Sequence, residues 1–230
     1  MPKVIPIDGD KLRLPGVRDR ISIIGPTGSG KTHAALWHLG NASFTSRPWL
    51  VINPKREELL EGVERIIPMD VTDEIPKYPG LYDIQPLPRD QDAVQDLLIR
   101  AWDHENVGIW IDEGLMFGDG EGVEAILTQG RSKKCPCIML MQRPVWVSRF
   151  AVSEATFIQY FGLSDKRDRA TVQAFAENLP VDVPLEKFHS QYYDIPRKKN
   201  WHFKPMPAAD KILDTINSRM DELRPQRKVI

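Results

Sequence analysis

Residues Gly25-Pro26-Thr27-Gly28-Ser29-Gly30-Lys31-Thr32 spell G-x-x-x-x-G-K-[ST] in full, between a short β-branched run and a helical pattern. Glycines at 25, 28 and 30 let the backbone turn tightly and aim its N–H groups at phosphate oxygens, and the helix that follows adds partial positive charge. Pro26, Thr27 and Ser29 complete the cradle. Lys31 reaches the β- and γ-phosphates as a point charge, and the Thr32 hydroxyl coordinates Mg²⁺. The pattern predicts a nucleoside triphosphate site, with ATP and Mg²⁺ as cofactors.

Such a site needs an acidic residue on a neighbouring strand. Asp112, at the tip of the apolar run Val107 to Ile111, fits the Mg²⁺ role. Glu113 follows it directly and can accept a proton from the attacking water or orient it. A further strand, Cys137 to Met141, ends at Gln142-Arg143-Pro144. If it neighbours the Asp112 strand, Gln142 can hydrogen-bond the γ-phosphate or the water and report hydrolysis. Arg143 and Arg131 are each a candidate for an arginine finger, which stabilises developing charge and in ring ATPases often comes from the neighbouring subunit, for a phosphate-backbone contact, or for a plain surface charge.

These residues require a scaffold in which strands and helices alternate. Arg20 to Ile24, Trp49 to Ile52, Arg65 to Ile67, Leu81 to Ile84, Val107 to Ile111, Cys137 to Met141 and Phe157 to Phe161 read as short strands. Helices are expected from Lys31 to Leu39, Glu57 to Glu64, Asp90 to Glu105, around Val123 to Gly130, and from Ser164. The clearest is Asp90 to Glu105, where Val94, Leu97, Leu98, Ala101 and Trp102 share one face. Alternation over the first 180 residues implies an α/β fold with a mainly parallel sheet covered by helices on both faces. Residues 1–19 read as an extended arm, 20–180 as the core, and 181–230 as a C-terminal hairpin (His189 to Ile195 with Trp201 to Lys204) and helix (Ala208 to Leu223) packed on it.

Composition excludes several classes. The 230 residues are 41% hydrophobic, with 15 Gly and 19 Pro in no period, so the chain is neither disordered nor collagen-like. No apolar run is long enough to span a membrane, and Met1-Pro2-Lys3 opens no apolar signal region, which predicts a soluble, cytoplasmic protein. Cys135 and Cys137 are too few for a disulfide framework or a zinc site and read as reduced packing residues. The net charge of −1 hides an asymmetry. Residues 55–130 hold 6 basic and 18 acidic side chains, whereas 131–169 hold 8 basic and 3 acidic. The positive excess is expected just beyond the nucleotide site.

Taken together, Gly25 to Thr32, Ile109-Trp110-Ile111-Asp112-Glu113, Thr128-Gln129-Gly130-Arg131-Ser132-Lys133-Lys134 and Leu140-Met141-Gln142-Arg143-Pro144-Val145-Trp146 resemble the FtsK/HerA superfamily of DNA-pumping ATPases. Within it, the chain resembles the genome-packaging ATPases of tailless icosahedral viruses with an internal membrane. The resemblance covers roughly residues 20–205 and implies a RecA-like P-loop NTPase core, with Glu113 catalytic and Gln142 the sensor. It implies self-association into a ring, taken as a hexamer, that pushes double-stranded DNA of any sequence into a preformed capsid. It further implies partners at the capsid vertex or portal, and a location in the host cytoplasm and the virion. The Gly-rich loop Gly118 to Gly122 or the basic segment Arg131, Lys133 and Lys134 could then face the pore. Tyr192, Tyr193, Trp201 and Phe203 are either a partner surface or hairpin core. Competing readings are an ATPase driving protein secretion or phage assembly, and a weakly hydrolysing ATP-binding switch.

Overall fold

The computed structural model describes residues 4–6, 11–117 and 120–223. Among these residues ten strands form a single sheet: β1 (Val4–Pro6), β2 (Arg20–Ile24), β3 (Pro48–Ile52), β4 (Ile67–Pro68), β5 (Gly80–Ile84), β6 (Gly108–Ile111), β7 (Cys137–Met141), β8 (Phe157–Tyr160), β9 (Ser190–Asp194) and β10 (Lys199–Phe203), in the order β1-β10-β9-β8-β2-β7-β6-β3-β5-β4. The block from β8 to β4 is parallel, and β9, β10 and β1 continue it antiparallel. Strands covered on both faces read as unbroken apolar runs, because neither side of the pleat meets water. Along β7, Cys137, Met139 and Met141 enter one core, while Ile138 and Leu140 enter the other.

Helices supply the two covers. On one face lie α3 (Gln91–His104), α4 (Glu121–Gln129), α5 (Phe150–Ser153) and α6 (Lys166–Gln173), contributing Val94, Leu97, Val123, Ile126, Val152 and Val172. On the other lie α1 (Lys31–Gly40), the single turn α2 (Glu58–Glu61) and α7 (Ala209–Asp221), contributing Leu36, Leu39, Leu60, Ile212 and Ile216. The α/β fold with a mainly parallel, doubly covered sheet is the one expected.

The differences lie at the edges. Leu81 to Ile84, expected as one short strand in a loop, becomes β5, held between β3 and β4. Val4–Pro6, inside the segment read as an arm, pairs with β10. The hairpin does not sit on the core as an appendage, because β9 hydrogen-bonds to β8 and extends the same sheet. Tyr192, Tyr193, Trp201 and Phe203 are buried, so they are hairpin core and not a partner surface. Tyr192 stands opposite Trp201 and stacks on Phe203, with ring centres 5.0 Å apart. Both cysteines are buried free thiols, and desolvation pushes Cys137 up to about 12.

Candidate active site

The strand order brings the chemistry together. β7 lies between β2 and β6, so Gln142 emerges between the phosphate-type turn after β2 and the acidic pair after β6. Gly25 N donates to Met141 O and Asp112 N donates to Ile52 O, which carries the pairing of β2 with β7 and of β6 with β3 up to the rim. In the turn, Gly28 and Gly30 take φ of +74° and +101°, a region that costs other residues strain. A Cβ at Gly25 would stand 2.6 Å from Phe161 Cβ.

A cavity of about 250 Å³ opens here, between Thr27, Lys31 and Thr32 on one side and Lys55, Asp112 and Glu113 on the other. Lys31 Nζ donates to Pro26 O at 2.8 Å, folded over the turn that should receive phosphate. Burial, with Lys55 nearby, pushes its ammonium down to about 8. Burial likewise pushes the Asp112 carboxyl up to about 6, and Asp112 Oδ2 is buried without a hydrogen-bond partner. An orphaned buried carboxylate oxygen across the cavity from a Thr hydroxyl suits a hard divalent cation, which takes oxygen ligands. The residues present therefore fit Mg²⁺.

Glu113 is the most connected member. Its backbone sits in the left-handed region at φ 58°, which re-aims the chain at the end of β6. Gln142 Nε2 donates to Glu113 Oε2 at 2.9 Å, and Thr27 Oγ1 donates to Gln142 Oε1 at 3.0 Å. Lys55 completes the chain with an ion pair to the same Oε2. Lys55 was not anticipated from sequence. Its place follows from the sheet order alone, since β3 closes beside β6 and so puts Asn53-Pro54-Lys55 at the same rim. Asn53 fixes that turn by accepting from Glu57 N at 2.9 Å.

Across 218 residues, 88% of this chain and 93% of the relative, the sequence is 43% identical to the DNA packaging ATPase P9 of Enterobacteria phage PRD1. The chain belongs to this family of DNA packaging ATPases. No protein-family model matches it. Among solved structures, the genome packaging NTPase B204 from Sulfolobus turreted icosahedral virus 2, in complex with AMP, has a TM-score of 0.65 at 14% identity, covering 84% of this chain and all of that one. EssC (ATPases 2 and 3) from Geobacillus thermodenitrificans has a TM-score of 0.62 at 10% identity, covering 93% of this chain and 45% of that one. Both likenesses speak to the fold.

Two expectations need correction in this packaging ATPase, a free Arg143 and a single basic patch beyond the nucleotide site. Arg143 is not free to act as a finger, since its guanidinium contacts Asp168 at 2.5 Å and Asp165 at 3.2 Å and lies over the Trp146 ring. It braces the end of β7 to the start of α6. Arg131 is exposed, but it lies at the opposite end of the strands from the turn. Its neighbours in that segment, Lys133 and Lys134, offer their carbonyls to Asn106 N and to the Arg47 side chain, both just ahead of strands. Arg131 cannot reach its own nucleotide site. The basic segment is also not one patch beyond that site. Arg131, Lys133 and Lys134 lie at one end of the sheet and Arg143, Lys166 and Arg167 at the other.

Within the Gly-rich loop, Gly118 and Asp119 lie outside the described residues. Gly122 has a packing reason, because a Cβ there would meet Gln95 O on α3 at 2.3 Å. Gln95 clamps the junction, accepting from Val123 N and donating to Phe117 O. Among the described residues, no helix is long and apolar enough to cross a membrane.

Proposed function

We propose that this chain is the ATP-hydrolysing motor that moves double-stranded DNA into a preformed viral capsid. The observation that carries it is the Thr27-Gln142-Glu113-Lys55 chain spanning the nucleotide rim, in a member of a DNA packaging ATPase family. It links the phosphate turn to the residue that handles water, the connection that a cyclic motor needs and a passive nucleotide binder does not.

The steps follow from the side chains. The turn's N–H groups take the phosphates, and Lys31 exchanges Pro26 O for a phosphate oxygen. Thr32 and Asp112 would hold Mg²⁺, which neutralises charge on the β- and γ-phosphates when bound. Glu113 orients the attacking water and takes its proton. Gln142, already bonded to both Thr27 and Glu113, loses or regains those contacts as the γ-phosphate comes and goes, and so passes the nucleotide state along β7.

Assembly as a ring, taken as a hexamer, supplies what one copy lacks. Arg131 lies too far to serve its own site, so its arginine-finger role requires a neighbouring copy. DNA would be gripped through phosphates without reading sequence, and the ring would dock on vertex or portal proteins of the capsid during assembly of the virion. The test is phosphate release with and without duplex DNA. Mg²⁺-dependent hydrolysis should be raised by DNA and abolished by Lys31→Ala and by Glu113→Gln. Hydrolysis that survives both substitutions refutes the reading, as does a monomeric mass under every combination of ATP and DNA.

A further inference from the structure

Gln142 must meet two partners at once, and the main chain just after it is held in place from another element. Beyond β7 the chain turns through Pro144–Trp146, where Trp146 N donates to Arg143 O at 3.0 Å. Asp168, in the first turn of α6, pins that turn from outside. Its Oδ1 accepts from Val145 N at 3.1 Å, and its Oδ2 accepts from Arg143 Nε at 2.5 Å. Arg143 also reaches Asp165 Oδ2 at 3.2 Å, and its Cζ lies 4.2 Å from the centre of the Trp146 ring. The guanidinium is therefore held along its edge by carboxylates and across its face by an aromatic ring.

Asp168 is not needed to begin its own helix. Asp165 is the N-cap of α6, with its carboxylate accepting from Arg167 N at 2.8 Å and from Asp168 N at 3.3 Å. In a capping box the side chain at the third helical position reaches back to the N-cap N–H, whereas both oxygens of Asp168 bond to the turn after β7 instead. A fully buried carboxylate is costly unless it is paired and hydrogen-bonded, and Arg143 and Val145 supply both. The buried charge thus fixes residues 143 and 145, immediately downstream of Gln142.

We propose that Asp168 is a positioning residue for hydrolysis: acting through Arg143 and Val145, it sets the end of β7 so that the Gln142 amide meets Thr27 and Glu113 together. The proposal rests on the reading of Gln142 as the residue that registers the γ-phosphate. Thr27 and Glu113 bracket that amide at 3.0 and 2.9 Å, and a main-chain shift of about 1 Å would carry either bond beyond hydrogen-bonding range. Through the same link, a displacement of Gln142 on loss of the γ-phosphate is passed to α6.

The test measures hydrolysis by the full chain with and without duplex DNA, beside thermal denaturation. Asp168→Asn keeps the volume and an acceptor for Val145 N but withdraws the charge from Arg143. It should lower DNA-stimulated kcat roughly tenfold, as misplacement of an active-site group does, while KM for ATP changes less than about twofold because the phosphate turn is untouched. In a Gln142→Ala chain the same substitution should cost kcat nothing further, yet lower Tm by as much as it does alone. A brace that only holds the fold together would move Tm and leave kcat alone. Arg143→Lys probes the link from its more exposed side: it keeps a cation near Asp168 but loses the Nε contact and the flat stack on Trp146, and should lower DNA-stimulated kcat in the same direction. Wild-type kcat in Asp168→Asn, or in Arg143→Lys where the first variant does not fold, overturns the positioning role, as does an additive loss of kcat in the double variant. The parent reading fails separately: a wild-type chain whose hydrolysis ignores DNA refutes both, whereas stimulation that is lost in Gln142→Ala but kept in Asp168→Asn refutes the positioning alone.

Discussion

The side-chain amide of Gln142 donates to the Glu113 carboxylate at 2.9 Å, joining the ends of adjacent parallel strands. Lys55 approaches the same oxygen, Oε2, from the far side of β6, so Glu113 Oε1 is the oxygen left for a water. The carboxylate is thus held from two strands before any substrate arrives, which limits the reorganisation needed at the moment of reaction.

Glu113→Gln keeps the shape of the side chain but cannot take a proton. Hydrolysis should fall by about 10² to 10⁴-fold, the usual contribution of a general base, with ATP affinity retained. Gln142→Ala, which leaves the base in place, should cost less in basal rate but remove the stimulation by DNA. Phosphate release measured beside calorimetric ATP binding separates the two. Equal losses of rate and of DNA response in both variants would deny Gln142 its reporting role.

Lys55 makes a sharper case, because a surface ion pair would contribute next to nothing. Here burial works against the ammonium, and hydrogen bonding to Glu113 together with the Asp112, Glu113 and Glu57 charges more than compensates, so its pKa is raised. It stays charged at the rim of the phosphate cavity. Lys55→Ala should lower kcat by roughly 10- to 100-fold, in line with removal of one electrostatic contact from a preorganised site, and Lys55→Arg should recover part of it. A change under twofold would mark Lys55 as a surface pairing only.

How much of this could be read from the chain beforehand varies with the physics involved. The parallel strands and α3 announced themselves, because double burial and a 3.6-residue period leave direct marks on residue type. The Gly25–Thr32 turn and Asp112-Glu113 did too, since each is a contiguous motif. Lys55 did not: it joins the site only through the sheet order, and no local pattern encodes which strand ends meet. Arg143 misled for the related reason that its partners, Asp165 and Asp168, lie 22 and 25 residues away. The pairing of β1 with β10 spans nearly the whole sequence and was equally hidden.

The two buried charges set a pH window. In the proposed roles Asp112 must be anionic to hold Mg²⁺ and Lys31 cationic to hold phosphate; the Asp112 carboxyl is pushed up to about 6 and the Lys31 ammonium down to about 8. For the free protein, kcat/KM should therefore rise through about pH 6 and fall through about pH 8. The same shift has a cost in stability. The folded value for Asp112 lies above its ordinary 3.8, so the folded state favours the neutral form, and the penalty is absent below about pH 4 and complete above about pH 6. Asp112→Asn should then raise Tm at pH 7.5, at roughly 2–4 °C per kcal/mol of penalty relieved, with no gain at pH 4. A gain of equal size at both pH values would assign it to packing.

A second buried polar group ties α1 to the antiparallel end of the sheet. His38 Nε2 and Gln159 Oε1 lie 2.8 Å apart, and Gln159 Nε2 donates to Ser190 Oγ at 2.9 Å, all three residues being buried. Desolvation pushes the imidazole down to about 4 against the opposing Gln159 hydrogen bond, so it is neutral at pH 7 and donates through Nε2. Gln159→Leu would strand both His38 Nε2 and Ser190 Oγ, costing about 2–4 kcal/mol because each buried polar group then carries its desolvation penalty unrelieved. Replacing all three members, as His38→Leu, Gln159→Leu and Ser190→Ala, should recover most of that loss, since no orphaned donor or acceptor remains. Denaturant midpoints at pH 7 decide it. A Gln159→Leu cost below about 0.5 kcal/mol, the range of ordinary surface changes, would show that the network is not what fastens β9 to the motor core.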